Sequence, residues 1–398
     1  MLSLLAILLF VFLVLFPFGQ LTKVPLAFLS LPEVHLYLTD VVLFLFVVGW
    51  GIWRLFFHKK KYSLPPLAKP IFLFAIIGGV SLMVSAPLFA GREVLVGFLY
   101  LCRWLAYAGL YFALWDLKGK WSWLRRDWSC FLMIVGSMIG GFALLQYLFW
   151  PNLKALEVLQ YDPHFYRAAG TFIDPGFTGL ILVLTLILVT FRIWSEKKQK
   201  RWFMILWLFL FVILALTYSR ASWLVFFLSM TLLAFSKRSW RFLVLIIGLL
   251  AFTWLVIPQP AGEGGKLIRT YTIQARWENS QQAITIIKQR PFLGVGFNTL
   301  RYYQKQKGFL AEENWQLNQA GAGIDNSWLF VLATSGLLGF LAYLWLWGKA
   351  LKISQGNFLV LASLMTFMVH AFFINSLFYP WAMAWFWSLL ALGVKVKS

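Results

Sequence analysis

The chain has 398 residues, of which 61% are hydrophobic and only 12% are charged, and its formal net charge is +21. This composition excludes a soluble globular domain, because such domains are about half apolar and about a quarter charged. The positive charge does not indicate a nucleic-acid partner, because the basic residues lie in short clusters between long apolar runs. We therefore predict a polytopic, all-α integral membrane protein.

The apolar runs are about 20 residues long, the length at which a helix crosses a hydrocarbon core about 30 Å thick. Inside lipid every backbone polar group must be bonded internally, so each run is expected to be a helix. The first run lacks a preceding basic residue and a following cleavage site, so we interpret it as a membrane helix rather than a signal peptide. About twelve segments are predicted, at approximately 2–18, 36–57, 69–89, 93–115, 130–149, 174–193, 203–218, 222–236, 241–257, 326–347, 357–374 and 378–394.

Basic residues follow the even-numbered segments, whereas the short odd-numbered loops carry only Lys23, Arg92, Lys154, Arg167 and Arg220. This asymmetry predicts that both termini are cytoplasmic and that the odd-numbered loops lie outside. The clusters are Lys59, Lys60, Lys61 and Lys69; Lys118, Lys120, Arg125 and Arg126; Lys197, Lys198, Lys200 and Arg201; Lys237, Arg238 and Arg241; Lys349 and Lys352; and Lys395 and Lys397.

Two outer loops are long, one at about 150–173 and one at about 258–325. The second, between the ninth and tenth segments, is the only stretch large enough to fold outside the bilayer. The sequence shows neither an internal repeat nor a linker, so we predict a single membrane domain over residues 1–398 that includes this large extracytoplasmic loop.

An amphipathic helix is predicted within the large loop at Gln274–Gln289. Trp277, Ile284 and Ile287 are expected to share one of its faces. Pro291 ends the helix, and the glycines at 294 and 296 predict a turn after it.

Three arginines fall on outer segments: Arg167 before the sixth segment, Arg220 between the seventh and eighth, and Arg276 in the large loop. Ionisable residues at a membrane edge are costly, so each is a functional candidate. Guanidinium groups match phosphate oxygens bidentately, which predicts an anion site. As alternatives, Arg220 snorkels to the interface, and Arg167 and Arg276 pair with lipid headgroups, Asp174 or Glu278.

One acidic residue, Asp325, opens the tenth segment at its outer end. Its carboxylate could accept a proton or orient a hydroxyl, or it could simply cap the helix. Asn326 and Ser327 beside it offer neutral hydrogen-bonding groups suited to sugar hydroxyls. An anion site beside a carboxylate at the outer face suggests a lipid-linked pyrophosphate substrate.

Other polar residues have simpler interpretations. Arg103, in the middle of the fourth segment, is expected to form a structural ion pair with Asp40 of the second. His370 is more typical of a hydrogen-bonded residue inside a helix bundle than of a catalyst. The four histidines and two cysteines have no metal-ligand spacing, and there is no glycine-rich nucleotide motif, so neither a metal nor another cofactor is expected.

Four motifs, in order, resemble the O-antigen ligase and polymerase superfamily of bacterial membrane glycosyltransferases. The resemblance spans about residues 160–390. The motifs are RAAGTFIDPGFTG, TYSRASW, ARWENSQQA with PFLGVG, and DNSWLFVLATSGLLGF, and HAFFINSLFYP fits the family's last helices more loosely.

The resemblance implies the helical glycosyltransferase type C fold, variant B. It implies inverting, metal-independent transfer of a glycan from undecaprenyl pyrophosphate to an acceptor hydroxyl, at the outer face of the bacterial cytoplasmic membrane. Arg220 and Arg276 match the arginines that hold the pyrophosphate, Arg167 matches a third basic position, and Asp325 stands at the residue that activates the acceptor. The residues interpreted as acceptor or glycan contacts are Asn326, Ser327, Tyr218, Trp277 and His370.

Asp325 also distinguishes alternatives within this superfamily. Ligases that load lipid A core typically have His at this position, so Asp325 favours a polysaccharide polymerase, whose partners are a glycan or lipid acceptor, membrane lipids and, if one is present, a chain-length regulator. Protein O-oligosaccharyltransferases are a second alternative, although they usually carry a larger C-terminal outer part. A transporter or lipid flippase is a third, but repeated halves and helices broken by Gly or Pro are not evident in the sequence.

Overall fold

The computed structural model describes residues 1–24, 34–58, 63–154, 164–257, 270–310 and 323–393. These residues form fourteen α-helices, several short turns of other helical types, and one antiparallel ribbon of β1 (Lys23–Val24) and β2 (Leu36–Tyr37). The helices are α1 (Leu2–Leu15), α2 (Leu38–Ile52), α3 (Ala68–Ser85), α4 (Gly91–Leu117), α5 (Ser122–Phe149), α6 (Pro175–Ser195), α7 (Lys200–Leu216), α8 (Arg220–Ser236), α9 (Trp240–Val256), α10 (Thr270–Gln289), α11 (Leu300–Gln306), α12 (Ser327–Ile353), α13 (Phe358–His370) and α14 (Pro380–Gly393).

Each predicted membrane segment contains one helix, from α1 to α9 and from α12 to α14. Seven of the described helices are long and apolar enough to cross a membrane, and three shorter ones are also apolar. The prediction of an all-α integral membrane protein is therefore confirmed, whereas the exact number of spans stays a prediction. α5 begins at Ser122 rather than near 130, because the hydropathy pattern marks the part of a helix that lies in lipid and not the residue at which the helix begins.

The centre of the bundle is filled by α6 and α14, which are buried along most of their length. The peripheral helices show the opposite pattern, since α9 buries only Ile246 and Thr253 and its other apolar side chains are exposed or only partly buried. An exposed apolar surface of this kind is what a lipid-facing helix presents.

Contacts between distant segments mark the two ends of the bundle. At one end Lys118 donates to the Ala391 carbonyl of α14 at 2.8 Å, which places the basic loop after α4 beside the end of the last helix. At the other end the Ser327 amide of α12 donates to the Ala371 carbonyl at 2.8 Å. The predicted basic residues that lie outside the described residues are Lys59, Lys60, Lys61, Lys395 and Lys397.

The orientation of the bundle can be tested by labelling single cysteines in intact cells. In a parent in which Cys102 and Cys130 are serine, Lys307→Cys should react with a membrane-impermeant maleimide, because Lys307 is exposed at the end of α11 in the outer loop. Lys198→Cys, exposed in the basic loop after α6, should react only after the membrane is permeabilised. The reverse pattern would overturn the predicted orientation.

The predicted amphipathic helix is confirmed as α10, and of the residues predicted to share one face Ile287 is partly buried. Ala283 and Ile286 are fully buried, whereas Trp277 and Ile284 are exposed. α10 packs against α12, so the side chains of α10 that face α12 are the buried ones. Contact with one neighbouring helix buries only a narrow stripe of side chains. The remainder of the large loop, at 258–269 and 311–322, and the 155–163 part of the other long loop lie outside the described residues.

α12 is broken near its middle, which the sequence did not reveal. Gly336 has φ 63° and ψ −168°, a conformation outside the helix, and the backbone of residues 291–296 packs against the break. Non-helical backbone at membrane depth is tolerated only where its polar groups are bonded within the protein. Four hydrogen bonds do this: Val295 N to Ala333 O at 2.9 Å, Gly296 N to Thr334 O at 3.1 Å, Leu337 N to Pro291 O at 2.8 Å, and Leu338 N to Phe292 O at 3.2 Å.

Gly336→Ala should strongly destabilise the protein. Its backbone conformation is essentially restricted to glycine, and a Cβ at this position would lie 2.2 Å from the Phe292 carbonyl carbon. Backbone strain and overpacking together predict a loss of about 2–6 kcal/mol. Gly348→Ala, in the same helix with no atom within 4 Å of the added Cβ, is the matched control and should be neutral or slightly stabilising. Equal melting temperatures of the two purified variants would contradict this account of the break.

Candidate active site

The short turn between α7 and α8 is built by the TYSRASW motif. Tyr218 is fully buried with a φ of 50°, and the Ser219 hydroxyl caps α8 by accepting from the Ser222 amide at 3.4 Å. Ser222 in turn donates to the Gly176 carbonyl at the start of α6, at 3.3 Å. Most of the motif therefore shapes the turn, which places Arg220 half-buried in the first turn of α8.

Arg167 stabilises the same turn through hydrogen bonds to its backbone carbonyls. Its side chain is only 9% exposed, its Nε donates to the Thr217 carbonyl at 3.0 Å, and one Nη donates to the Tyr218 carbonyl at 3.4 Å. A cation at a helix C-terminus is favourable, because the carbonyls there lack helical partners. These contacts give Arg167 a role in positioning the turn, and its predicted contact with pyrophosphate stays a prediction. Asp174, its predicted alternative partner, instead caps α6.

The predicted helix cap at Asp325 is corrected by the structure. The cap of α12 is Asn326, whose side-chain oxygen accepts from the amides of Trp328 at 2.9 Å and Leu329 at 3.1 Å. Asn and Asp cap about equally well, so the sequence could not decide between adjacent positions. Asp325 lies one residue before the cap, and its carboxylate is not used by the helix.

A side chain that sequence analysis had given no role fixes the position of Asp325. The Asn279 amide on α10 accepts from the Asp325 backbone N–H at 3.0 Å and donates to the Gly323 carbonyl at 3.0 Å. Arg276 lies one helical turn before Asn279, and its Nε is 4.0 Å from the Asp325 carboxylate. The spacing of three residues within ARWENSQQA was the available sequence signal, because it puts both side chains on one face of α10.

The site combines two cations with one carboxylate. The charge of Arg276 acts on Arg220, so the two guanidinium groups lie within electrostatic range of each other. Arg276 is 41% exposed and Asp325 is 60% exposed, so a ligand can reach both. Like charges within electrostatic range repel each other, and an anion bound between them would relieve the repulsion.

The other predicted glycan contacts separate into buried and exposed residues. Tyr218, Ser327 and His370 are fully buried, and the Ser327 hydroxyl contacts the backbone of the segment that follows α13. The Asn326 side-chain oxygen is occupied by its helix cap. Trp277, next to Arg276 on α10, is 65% exposed, so it is the aromatic of this set that a glycan can reach.

The predicted ion pair within the membrane helices is confirmed. Arg103 Nη2 lies 2.8 Å from the Asp40 carboxylate and also donates to the His35 carbonyl. Asp40 further accepts from the Tyr107 hydroxyl at 2.8 Å and from the Tyr37 amide at 3.1 Å. These bonds satisfy a charge pair that would otherwise be costly to bury, which is a structural role.

A comparison with known families matches part of the chain. Residues 204–344 match the family model described as O-Antigen ligase, a stretch that contains Arg220, Arg276 and Asp325. The resemblance to the O-antigen ligase and polymerase superfamily is confirmed. No curated protein matches the chain.

A second polar feature lies near the carboxylate, and sequence analysis missed it. A pocket of about 250 Å³ lies between α4, α11 and the segment that follows α13, and Gly323 forms part of its wall. Its residues come from segments far apart in the sequence, so no single motif marks it. The polar and aromatic side chains that line it include His35, Tyr100, Asn298, Arg301, Tyr302 and Asn375.

Proposed function

We propose that this chain transfers or polymerises undecaprenyl-pyrophosphate-linked oligosaccharide at the outer face of the bacterial cytoplasmic membrane. The observation that carries the proposal is the approach of Arg276 to Asp325, at 4.0 Å, with Arg220 within electrostatic range. Arginines recognise phosphate bidentately, and a carboxylate can accept a hydroxyl proton. One region of the protein therefore offers a group for the leaving pyrophosphate and a group for the acceptor.

In the proposed reaction Arg220 and Arg276 bind the pyrophosphate and stabilise the negative charge that develops as it leaves. The acceptor hydroxyl oxygen attacks the anomeric carbon from the opposite side, so the configuration at that carbon inverts. A new carbon–oxygen bond forms while the bond from the anomeric carbon to the phosphate oxygen breaks. The acceptor proton passes to Asp325, and the lipid pyrophosphate departs with the bonding electron pair.

Among the enzymes of the superfamily, a polymerase fits best, because Asp325 stands where ligases that load lipid A core typically have His. In a polymerase both substrates are lipid-linked glycans. The glycan of one is transferred to the other, and the first lipid carrier is released.

The assay that tests the function uses the purified full-length chain in nanodiscs with a radiolabelled lipid-linked oligosaccharide. The expected products are a ladder of longer lipid-linked glycans and free undecaprenyl pyrophosphate. Transfer to an added lipid A core instead of a ladder would assign a ligase. Movement of an unchanged donor across sealed liposomes, with no carrier released, would overturn the enzymatic proposal in favour of a flippase.

We expect this transfer to be independent of metal ions. No group of three or more His, Cys, Asp and Glu side chains suited to a metal ion is present in the described part of the chain. Turnover in EDTA should therefore equal turnover in Mg²⁺ or Mn²⁺. Loss of activity in EDTA that is reversed by either ion would refute the proposed chemistry.

A further inference from the structure

We infer that residues 291–297, between α10 and α11, form a re-entrant segment that enters the membrane from the side of the large loop, and that Phe292 contacts the acyl chains of the bilayer. From the sequence, this segment belongs to the large loop that is predicted to fold outside the bilayer. Its location in the membrane does not depend on the proposed function.

α10 runs antiparallel to the first half of α12, against which it packs. At one end Arg276 lies 4.0 Å from the carboxylate of Asp325, just before α12 begins. At the other end the Leu337 amide donates to the Pro291 carbonyl, just after α10 ends, at 2.8 Å. The chain therefore moves along α12 towards its middle as α10 proceeds.

The break at Gly336 lies inside the membrane-spanning part of α12. At about 1.5 Å per residue, Gly336 is about 14 Å from Ser327 and about 20 Å from Lys349, the first basic residue of the helix. A hydrocarbon core about 30 Å thick that lies between these two residues contains the break. The backbone of residues 291–296 is bonded to α12 at the break, so it lies at the same depth.

A second membrane helix indicates the same depth. Phe297 packs edge-on against Phe74, with ring centroids 6.2 Å apart, and a Cβ on Gly78 would lie 3.1 Å from the Phe297 ring. The Ser81 hydroxyl donates to the Leu293 carbonyl at 2.6 Å. All three partners belong to α3, which is long and apolar enough to cross the membrane. The segment therefore contacts the interior of α3 as well as that of α12.

The backbone of the segment suits an apolar surrounding. A chain in hydrocarbon must bond its polar groups within the protein. The amides of residues 294–296 do so, since they donate to the carbonyls of Arg290, Ala333 and Thr334 at 2.9–3.1 Å. Lys288 and Arg290, the exposed basic residues just before the segment, have side chains long enough to extend from the edge of the hydrocarbon to the headgroups.

The outward side of the segment is apolar and continues the lipid-facing surface of α12. Phe292 is 67% exposed, and its carbonyl accepts from the Leu338 amide at 3.2 Å. Leu337, Leu338 and Leu341 of α12 are themselves exposed. Exposed apolar side chains on a membrane helix face lipid. Because Phe292 is bonded to α12 at this surface, acyl chains are the partner that its ring meets.

The location is tested with spin labels on single cysteines of the full-length chain in nanodiscs of phosphatidylethanolamine and phosphatidylglycerol, after Cys102 and Cys130 are replaced by serine. Collisions of each label with oxygen, which concentrates in lipid, are compared with collisions with a water-soluble nickel chelate. A label at Phe292→Cys should collide more with oxygen, as should one at Leu338→Cys on α12. Lys307→Cys, exposed at the end of α11, is the matched aqueous control and should collide more with nickel.

A label at Phe292→Cys that collides with nickel as often as the label at Lys307→Cys would place the segment in water and overturn the inference. A label at Phe292→Cys that neither reagent reaches would show that protein, such as a second copy of the chain, covers this side chain. That result would overturn the contact with acyl chains.

A pair of substitutions keeps the test decisive if the labelled variant does not fold. Phe292→Asp should lower the melting temperature in nanodiscs by several degrees relative to Phe292→Leu, or prevent insertion, because a carboxylate in hydrocarbon is costly. Lys307→Asp and Lys307→Leu are the matched pair in water and should melt together. Equal melting temperatures for the two Phe292 variants would contradict the lipid contact.

Discussion

Asp325→Asn is expected to lower turnover about 10²–10⁴-fold, while the protein still inserts, folds and binds its lipid-linked donor. The substitution keeps the size of the side chain and removes the proton acceptor. It leaves the helix cap intact, because the cap of α12 is Asn326. The Asn279 contact is also retained, since it uses the backbone N–H of Asp325. Turnover is measured with purified protein and lipid-linked donor, and donor affinity is measured separately.

Asn326→Ala is the structural control for this experiment. It removes the cap of α12 and should cost about 0.5–2 kcal/mol of stability, which a lower melting temperature would report. Asp325→Asn should leave the melting temperature unchanged. An Asp325→Asn enzyme whose turnover is within a few-fold of the unmodified protein would show that the carboxylate does not act as a base.

Arg220→Lys and Arg276→Lys should each reduce turnover about 10–100-fold, because lysine keeps the positive charge but loses the bidentate fork. The loss should be accompanied by weaker inhibition by added undecaprenyl pyrophosphate, since the two arginines are proposed to hold that group in donor and product alike. The inhibition constant is measured in the same turnover assay.

Arg290→Lys is the matched control, because Arg290 is an exposed arginine just beyond the other end of α10. It should behave like the unmodified protein. Near-normal turnover and inhibition in both the Arg220→Lys and Arg276→Lys enzymes would show that these residues are only interfacial anchors.

The membrane helices could be predicted from the sequence, because lipid imposes one length and one composition on every span. The ends of helices were harder to predict, since they depend on competing local hydrogen bonds. Asp325 and Asn326 are both good caps, and only the three-dimensional contact with Asn279 places Asp325 outside the helix. The break at Gly336 was not predicted, because it needs partners from residues 291–296, which lie about forty positions earlier.

The candidate site was partly predictable for the same physical reason. Charged residues at a membrane edge are rare enough to stand out individually, and this identified Arg220, Arg276 and Asp325. Arg167 stood out equally, but its binding of the carbonyls at the end of α7 can be seen only in the structure. The pocket around Arg301 is formed by separate segments that come together only when the helices pack.

The break in α12 makes the outer helix and the membrane helix one cooperative unit. The amides of Val295 and Gly296 are bonded to carbonyls of α12, and the amides of Leu337 and Leu338 are bonded to the segment that follows α10. Local opening that frees one pair therefore exposes the other, so protection from solvent exchange is shared across the bilayer boundary. α10 cannot move away from the bundle unless the hydrogen bonds between α12 and the segment that follows α10 break. The distance between Arg276 on α10 and Asp325 before α12 is thus maintained by the hydrogen bonds at the break in α12.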